Sequence, residues 1–433
     1  MTRRSTGGPA RPRRAGGEAK RSPLNRQLTP VLLVLAPLAA TLALGAGGPP
    51  PAAAIATVPR RAAETPRAIP DDTIDFALRT RVGDVYYAPR TAGGQAVLTL
   101  DPRAQARAEA VLAQAEAPYG AIVVMALDGR VLALAGRSTA EPALGGELAV
   151  RPWAPSASVF KVVTAAALLS AGHDERVCVH GGLRAVAPDD LVDDARRDTF
   201  CGDLGLALAR SQNAMIAKLA ARHLDTHALQ TWAARFGYDA PLAFPIPGAP
   251  STAAIPSDLL ERSRAAAGFW HSQLSPLGAA QLMGVIASGG RRLAPRLIAG
   301  VVDERGFQPV PPSPSVRVLD PAIAARLGQM LVATTETGTA HTGFMGPRGR
   351  LLRERVAGKT GSLARRGGPP LDYSWFVGFA PAEEPRVIVA VLLGNEPAYR
   401  LKAHTAARLV LETVLESPHR RGVQKGAALA ASP

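Results

Sequence analysis

Cysteine, lysine and aromatic residues are all scarce in this chain of 433 residues. The two cysteines, Cys178 and Cys201, are not expected to bind a metal, and the chain is expected to need no cofactor. Aromatic residues make up 5% of the chain, and none accompanies the basic pairs near the N-terminus. Because those pairs lack stacking side chains, we expect no nucleic-acid partner.

The shortage of lysine makes one lysine conspicuous. The chain has 6 lysines against 44 arginines, so a plain positive charge is nearly always supplied by arginine. Lys161 nevertheless lies in the apolar stretch PSASVFKVVTAAALLSAG, residues 155–172. A lysine amine can lose its proton when it is desolvated, whereas a guanidinium stays charged. The sequence therefore predicts that Lys161 works as a base.

The net charge of +15 is concentrated towards the ends of the chain. Residues 1–27 hold eight Lys or Arg and one Glu, and residues 28–46 are dense in Leu, Val and Ala with no ionisable side chain. This length suits a bilayer core, and the basic flank predicts a cytoplasmic N-terminus. We expect a cytoplasmic segment and a single membrane anchor, with the rest on the periplasmic side. A cleaved secretion signal remains the alternative.

The remaining chain divides by composition into three parts. Residues 47–74 are rich in Pro and Ala and predict a linker, residues 75–416 predict one folded domain, and residues 417–433 predict a disordered basic tail. In an exported domain an even number of cysteines favours a disulfide between Cys178 and Cys201, with two buried thiols as the alternative.

Local patterns predict an α/β fold with an antiparallel five-stranded sheet flanked by helices. Two early strands surround a turn at Asp128-Gly129, and RERVAGKTGSL, YSWFVGFAP and RVIVAVLLGN predict three late strands. The middle is mainly helical, and one helix has Ser275 as N-cap, Pro276 at its first position and Gly289 as its stop. Strands from both ends are expected to share one sheet.

Three short motifs carry the chemistry. Ser158 and Lys161 are three residues apart at the start of a helix, so their side chains can meet on one face. Ser211-Gln212-Asn213 opens a second helix, and Lys359-Thr360-Gly361 lies on a predicted strand. A neutral amine beside a serine can take its proton and create a nucleophile. Ser-x-x-Lys alone is a weak signal, but three motifs in this order are specific.

These motifs resemble those of the penicillin-binding transpeptidases and serine β-lactamases, which share S-x-x-K, S-x-N and K-T-G. The resemblance covers roughly residues 95–415 and includes SQNAMIAKLAARHL, LSPLGAAQLMGVIASGG, TGTAHTGF and SWFVGFAP. The chain most resembles the transpeptidase half of bifunctional penicillin-binding proteins. It implies that an all-helical subdomain accompanies the sheet, and that the donor substrate is a D-Ala-D-Ala stem peptide of peptidoglycan, which β-lactams mimic.

The resemblance also implies a role for each motif residue. Ser158 would be the acylated nucleophile and Lys161 its base, while Ser211 would take part in a proton relay. Asn213 would hold the substrate backbone.

The third motif would bind the substrate terminus. Lys359 and Thr360 would bind the terminal carboxylate, and Gly361 would let the substrate approach the strand. The backbone N–H groups of Ser158 and Ser362 would form the oxyanion hole.

Three functional alternatives use the same motifs. A D,D-carboxypeptidase would pass the acyl group to water instead of an amine. A β-lactamase is disfavoured because no Glu-x-x-Leu-Asn segment lies between Asn213 and Lys359. A non-enzymatic penicillin-binding sensor is disfavoured because the motifs are intact. Too few residues precede the domain for a glycosyltransferase, so a glycan polymerase is expected to act in trans.

The remaining histidine and glutamate candidates predict no catalytic role. His223 and His227 are four apart on a predicted helix, but HLDTH lacks the glutamate of a zinc protease motif, so no metal site is expected there. His271 is expected to pack near the groove, and Glu336 is expected to be a loop carboxylate.

Overall fold

The computed structural model describes residues 73–346, 352–365, 367 and 369–416. The predicted segments 1–27, 28–46 and 417–433, and all but the last two residues of the predicted linker 47–74, lie outside the described residues. None of the helices in the described ranges combines the length and apolar character that crossing a bilayer requires.

The secondary structure elements are numbered here in chain order. The strands are β1 Thr80–Val82, β2 Val85–Pro89, β3 Gln95–Leu98, β4 Tyr119–Ala126, β5 Val131–Ser138, β6 Ala154–Pro155, β7 Val177–Val179, β8 Phe200–Gly202, β9 Thr252–Ala253, β10 Ser272–Leu274, β11 Arg291–Arg292, β12 Ile298–Asp303, β13 Gly306–Pro309, β14 Val316–Arg317, β15 Ala357–Arg365, β16 Leu371–Ala380 and β17 Val387–Asn395. The helices are α1 Pro102–Ala115, α2 Lys161–Ser170, α3 Leu204–Ala209, α4 Asn213–His223, α5 Thr226–Arg235, α6 Leu259–Ala267, α7 Pro276–Ala287, α8 Pro321–Glu336, α9 His341–Phe344 and α10 Ala403–Glu416. Three 3₁₀ segments lie at Pro142–Ala149, Ala157–Phe160 and Pro188–Leu191.

The central sheet has five antiparallel strands in the order β15-β16-β17-β4-β5. The predicted sheet, in which early and late strands pair, is therefore confirmed. Both faces of the sheet are covered, because alternate residues of β4 enter different cores. Val123 and Met125 pack with the helical part of the chain, whereas Ile122 and Val124 pack with residues of α1 and α10.

Local sequence signals set the ends of several elements as predicted. The β4–β5 hairpin turns at Asp128-Gly129, where Gly129 has φ of +86° and the Asp128 carboxylate accepts a hydrogen bond from the Arg130 N–H. In α7, the Ser275 hydroxyl accepts from the Gly278 N–H. The predicted hairpin turn and the predicted helix N-cap are therefore both confirmed.

A second five-stranded sheet was not predicted. Its strands run in the order β1-β2-β3-β12-β13 and are three to six residues long. The strand β3 pairs with β12 through Ala96 and Val301, about two hundred residues apart in the chain. Short, partly exposed strands with such distant partners have a weak local pattern, which explains why sequence reasoning missed this sheet.

The helical part of the chain lies between β5 and β15. The helix α2 is buried along nearly its whole length, from Lys161 to Leu169. It contacts α4, α5 and α8, so the helix that follows Ser158 is surrounded by other helices. This packing places one lysine amine inside an apolar core.

A disulfide closes a loop against this helical part. Cys178 and Cys201 lie on the paired strands β7 and β8 and are bonded to each other. The fully buried amine of Lys218, on α4, donates to the Cys178 carbonyl at 2.9 Å and to the Asp198 carboxylate at 2.8 Å. Burial alone would raise the pKa of Asp198, but the hydrogen bonds from Lys218, the Asp194 N–H and His180 together hold it well below its usual value. A buried ion pair therefore attaches the disulfide-closed loop, residues 178–201, to α4.

We predict that Asp198→Ala lowers the free energy of unfolding by about 3 kcal/mol, because it leaves the buried Lys218 ammonium without its main partner. Arg222→Ala is the matched control, since Arg222 joins the same cluster through the exposed carboxylate of Asp193. It should cost less than about 1 kcal/mol. Urea unfolding followed by circular dichroism measures both, and equal effects would contradict the assignment.

Candidate active site

Ser158 lies in a constrained turn in front of α2. The preceding strand β6 pairs with β10, and the Trp375 indole N–H donates to the Pro155 carbonyl at 2.9 Å. Ser158 belongs to the 3₁₀ segment Ala157–Phe160, so it precedes the regular helix instead of lying in its first turn. Ala157 has φ of +48°, in a region that residues with a side chain rarely adopt. The surrounding contacts must hold this turn, as is common at functional sites.

Two glycines make room for this turn. A Cβ at Gly268 would lie 2.1 Å from the Ala157 carbonyl oxygen, and Gly268 itself has φ of +91°. A Cβ at Gly361 would lie 3.2 Å from the Cβ of Ala157. Gly361 therefore lets β15 pack directly against the turn that holds Ser158, a role that sequence reasoning did not assign to it.

The Lys161 amine lies at the centre of a polar cluster. Its Nζ is 2.6 Å from the Ser158 Oγ and 2.6 Å from the Asn213 Oδ1, and it is 3.4 Å from the Ser211 Oγ. Lys161 is fully buried. Burial, and next the positive charge of Lys359, hold the pKa of Lys161 well below its usual value of 10.5. A neutral Lys161 amine has a lone pair that can accept the Ser158 proton.

The second motif bridges the two lysines. Ser211 adopts φ of +55° between α3 and α4, and its Oγ accepts a hydrogen bond from the Lys359 Nζ at 3.0 Å. Asn213 is the first residue of α4, and its side-chain amide donates to the Leu183 carbonyl at 2.9 Å. Since its carbonyl oxygen accepts from Lys161, the Asn213 side chain is oriented from both ends. The Ser211 hydroxyl thus lies between the two amines, within 3.4 Å of the Lys161 Nζ and 3.0 Å of the Lys359 Nζ.

The third motif lies on β15, the edge strand of the central sheet. Lys359 is fully buried, and burial lowers its pKa from 10.5 to about 7. The Thr360 Oγ1 lies 2.6 Å from the Thr339 Oγ1, which orients the Thr360 hydroxyl. Sequence reasoning included Thr339 in the segment TGTAHTGF without giving it a role. Its threonine-glycine-threonine pattern was the available signal.

The predicted residues converge on a cleft of about 290 Å³. Ser158, Asn213 and Ser362 line it directly, while Lys161 and Lys359 are buried beside it. Leu183 and Arg184 of the disulfide-closed loop form one wall, which sequence reasoning missed because nothing in the local pattern links that loop to the motifs. The disulfide itself lies outside the cleft lining.

Three other sequence expectations have separate outcomes. The prediction that His223 and His227 share one helix is wrong, because α4 ends at His223 and Leu224-Asp225 intervene before α5. The His271 ring pairs with the Glu261 carboxylate at 2.9 Å.

Glu336, predicted as a loop carboxylate, is the last residue of α8. It forms an ion pair with Arg355 at 2.7 Å.

Comparisons with known proteins place the chain in a family. The family model described as the penicillin binding protein transpeptidase domain matches residues 120–415. The peptidoglycan D,D-transpeptidase PbpA of Mycobacterium tuberculosis is 27% identical over 390 residues, covering 78% of this chain and 75% of that protein. PbpA of Mycolicibacterium smegmatis is 30% identical over 255 residues, covering 55% of this chain and 49% of that protein.

Solved structures show the same fold. Penicillin-binding protein A from M. tuberculosis, solved as a ceftriaxone acyl-enzyme complex, aligns with a TM-score of 0.62 and 25% identity over 75% of this chain and 80% of that chain. The D,D-transpeptidase domain of a peptidoglycan glycosyltransferase from Eggerthella lenta aligns with a TM-score of 0.61 and 26% identity. The alignment covers 74% of this chain and 82% of that chain.

The two buried amines lead to a prediction about their protonation. In the full chain labelled with carbon-13 lysine, we expect the Lys359 Cε resonance to titrate at about pH 7 and that of Lys161 well below 10.5. Lys359→Met should raise the pKa of Lys161 because it removes the neighbouring positive charge. Lys359→Arg keeps that charge and is the matched control. A Lys359 midpoint near pH 10 would contradict the effect of burial.

Proposed function

Because this chain belongs to the penicillin-binding protein transpeptidase family, we propose that its Ser158 hydroxyl forms the acyl-enzyme of a peptidoglycan D,D-transpeptidase. The enzyme is of the serine type and acts on D-Ala-D-Ala termini. The observation that carries the proposal is the 2.6 Å contact between the Ser158 Oγ and the fully buried Lys161 Nζ. A serine beside a neutral amine is the nucleophile that acyl transfer needs.

Acylation begins when the Ser158 Oγ attacks the carbonyl carbon between the two D-alanines. Its proton passes to the Lys161 Nζ, and a tetrahedral intermediate forms. The carbon–nitrogen bond then breaks, and the terminal D-alanine amine takes a proton as it leaves. The Ser211 hydroxyl, 3.4 Å from Lys161 and 3.0 Å from Lys359, is the relay to that amine.

Binding of the donor uses the edge of the central sheet. Lys359 and Thr360 receive the terminal carboxylate, and Thr339 keeps the Thr360 hydroxyl oriented through their 2.6 Å contact. Asn213 holds the stem-peptide backbone. The N–H groups of Ser158 and Ser362, which both line the cleft, stabilise the oxyanion by about 3 kcal/mol each.

Deacylation completes the reaction. An amine of a second stem peptide attacks the Ser158 ester, and the resulting peptide bond is the cross-link. Lys161, which has again lost its proton, accepts the proton of the attacking amine and passes it to the Ser158 Oγ as the carbon–oxygen bond of the ester breaks. Attack by water instead would make the protein a D,D-carboxypeptidase with the same residues. A β-lactam takes the place of the donor, and its adduct persists because the leaving group stays attached.

The proposed location rests on the basic and apolar N-terminal residues. We propose that residues 28–46 anchor the chain in the cytoplasmic membrane and that the catalytic domain faces the periplasmic side.

Incubation with a fluorescent penicillin tests the nucleophile. The full chain should form a long-lived 1:1 adduct that mass spectrometry locates on Ser158, and Ser158→Ala should form none. Lys161→Met should slow acylation at least about a hundredfold, because it removes the general base. An adduct on another residue, or an unaffected Lys161 variant, would exclude this mechanism.

The acceptor is tested separately with a D-Ala-D-Ala peptide donor. With an amine acceptor present, the transpeptidase yields the cross-linked product in preference to the hydrolysed peptide. Hydrolysis that is unchanged by the amine would assign the carboxypeptidase reaction instead. Loss of the penicillin adduct within seconds would favour a β-lactamase.

Removal of the disulfide tests the wall of the cleft. Cys178→Ser with Cys201→Ser should lower the rate constant of penicillin acylation about tenfold, because the Leu183 carbonyl no longer holds Asn213 in place. The final amount of adduct should remain 1:1, which shows that the protein still folds. An unchanged rate constant would mean that the loop does not position Asn213.

A further inference from the structure

A cluster of metal-ligating side chains lies outside the cleft. His173 and Glu175 follow the C-terminal end of α2, and His223 is the last residue of α4. One ligand atom from each of these three residues lies within 4.8 Å of the others. The imidazoles of His173 and His223 are stacked, with ring centroids 3.7 Å apart. Residues distant in sequence are thus brought together at one point on the surface.

The three ligand atoms lie within 4.8 Å of one another, so side-chain rotation can bring them to the spacing that a small cation requires. The His223 Nε2 lies 2.5 Å from one carboxylate oxygen of Glu175, and the His173 Nδ1 lies 4.0 Å from the other. Two ligand atoms on a tetrahedral zinc ion are about 3.4 Å apart, given bond lengths near 2.1 Å. The side chains of all three residues are partly exposed, at 35%, 41% and 23% for His173, Glu175 and His223, so rotations can reach that separation.

Two neighbouring side chains that could bind a metal lie outside the cluster. Asp174, between two of the candidates in sequence, is not part of the cluster, and its Oδ2 pairs with Arg326 of α8. His227 is exposed at the start of α5 and also lies outside the cluster. The remaining donors are two imidazoles and one carboxylate. This set matches the preference of Zn²⁺ and leaves a fourth position for water.

We propose that His173, Glu175 and His223 form a zinc-binding site that joins the C-terminal ends of α2 and α4. The N-terminal ends of these helices carry Lys161 and Asn213, and each helix extends about 15 Å between the two sites. The metal therefore does not touch the reacting atoms. It connects the two helices that carry the first two motifs, and its role is structural. This inference is independent of the proposed acyl-transfer reaction.

The test uses the full, untagged chain after dialysis against a chelator. Equilibrium dialysis with Zn²⁺ should show one bound equivalent, and the ion should raise the melting temperature. Substitution of Co²⁺ should give the visible absorption of a four-coordinate site. His223→Ala and Glu175→Gln should each weaken Zn²⁺ binding at least about tenfold and abolish the thermal shift.

His227→Ala is the matched control, because it removes a nearby exposed imidazole that is outside the cluster. Its zinc affinity and thermal shift should equal those of the unchanged chain. Without metal, the His223→Ala chain should melt at the same temperature as the metal-free unchanged chain. This separates loss of the site from misfolding. The proposal is overturned if Zn²⁺ does not bind, if His223→Ala binds it normally, or if His227→Ala weakens binding equally.

Discussion

Burial of the Lys161 amine is the constraint on which the site depends. Transfer of an ammonium from water into an apolar core is unfavourable, and the protein avoids that cost by letting the amine lose its proton. The apolar side chains of α2 and the charge of Lys359 both act in that direction. The same helical packing that stabilises the domain therefore favours the neutral Lys161 amine that the proposed mechanism needs. A polar side chain at this position would fill the space, but only lysine combines length with a removable proton.

The central sheet and the three motifs could be predicted because their signals are local. The hairpin at Asp128-Gly129, the cap at Ser275 and the apolar runs of the late strands depend on neighbours in sequence. The pairing of strands from both ends of the chain also follows, since exposed apolar strands need partners. Residue spacing places Ser158 and Lys161 on one face. It could not determine that Ala157 adopts a left-handed conformation, because that depends on Gly268 and Gly361 clearing the space.

The features that sequence reasoning missed depend on long-range contacts. The small sheet requires β3 to find β12 far along the chain. The wall of the cleft requires the Leu183 carbonyl to meet Asn213, and it is held by the buried pair of Lys218 and Asp198. The incorrect prediction of one helix through His223 and His227 has a local cause. Helix periodicity continued through Leu224-Asp225, where the Asp225 carboxylate instead caps the next helix.

The unequal use of arginine and lysine has a consequence for the surface of the domain. Of the four lysines among the described residues, Lys161, Lys218 and Lys359 are fully buried and Lys402 is exposed. The remaining positive charge of the described surface is carried by arginines. A guanidinium stays protonated and is a poor nucleophile, whereas a primary amine competes for any activated acyl group. The described surface therefore carries positive charge but offers few primary amines that could compete with the amine acceptor of the proposed reaction.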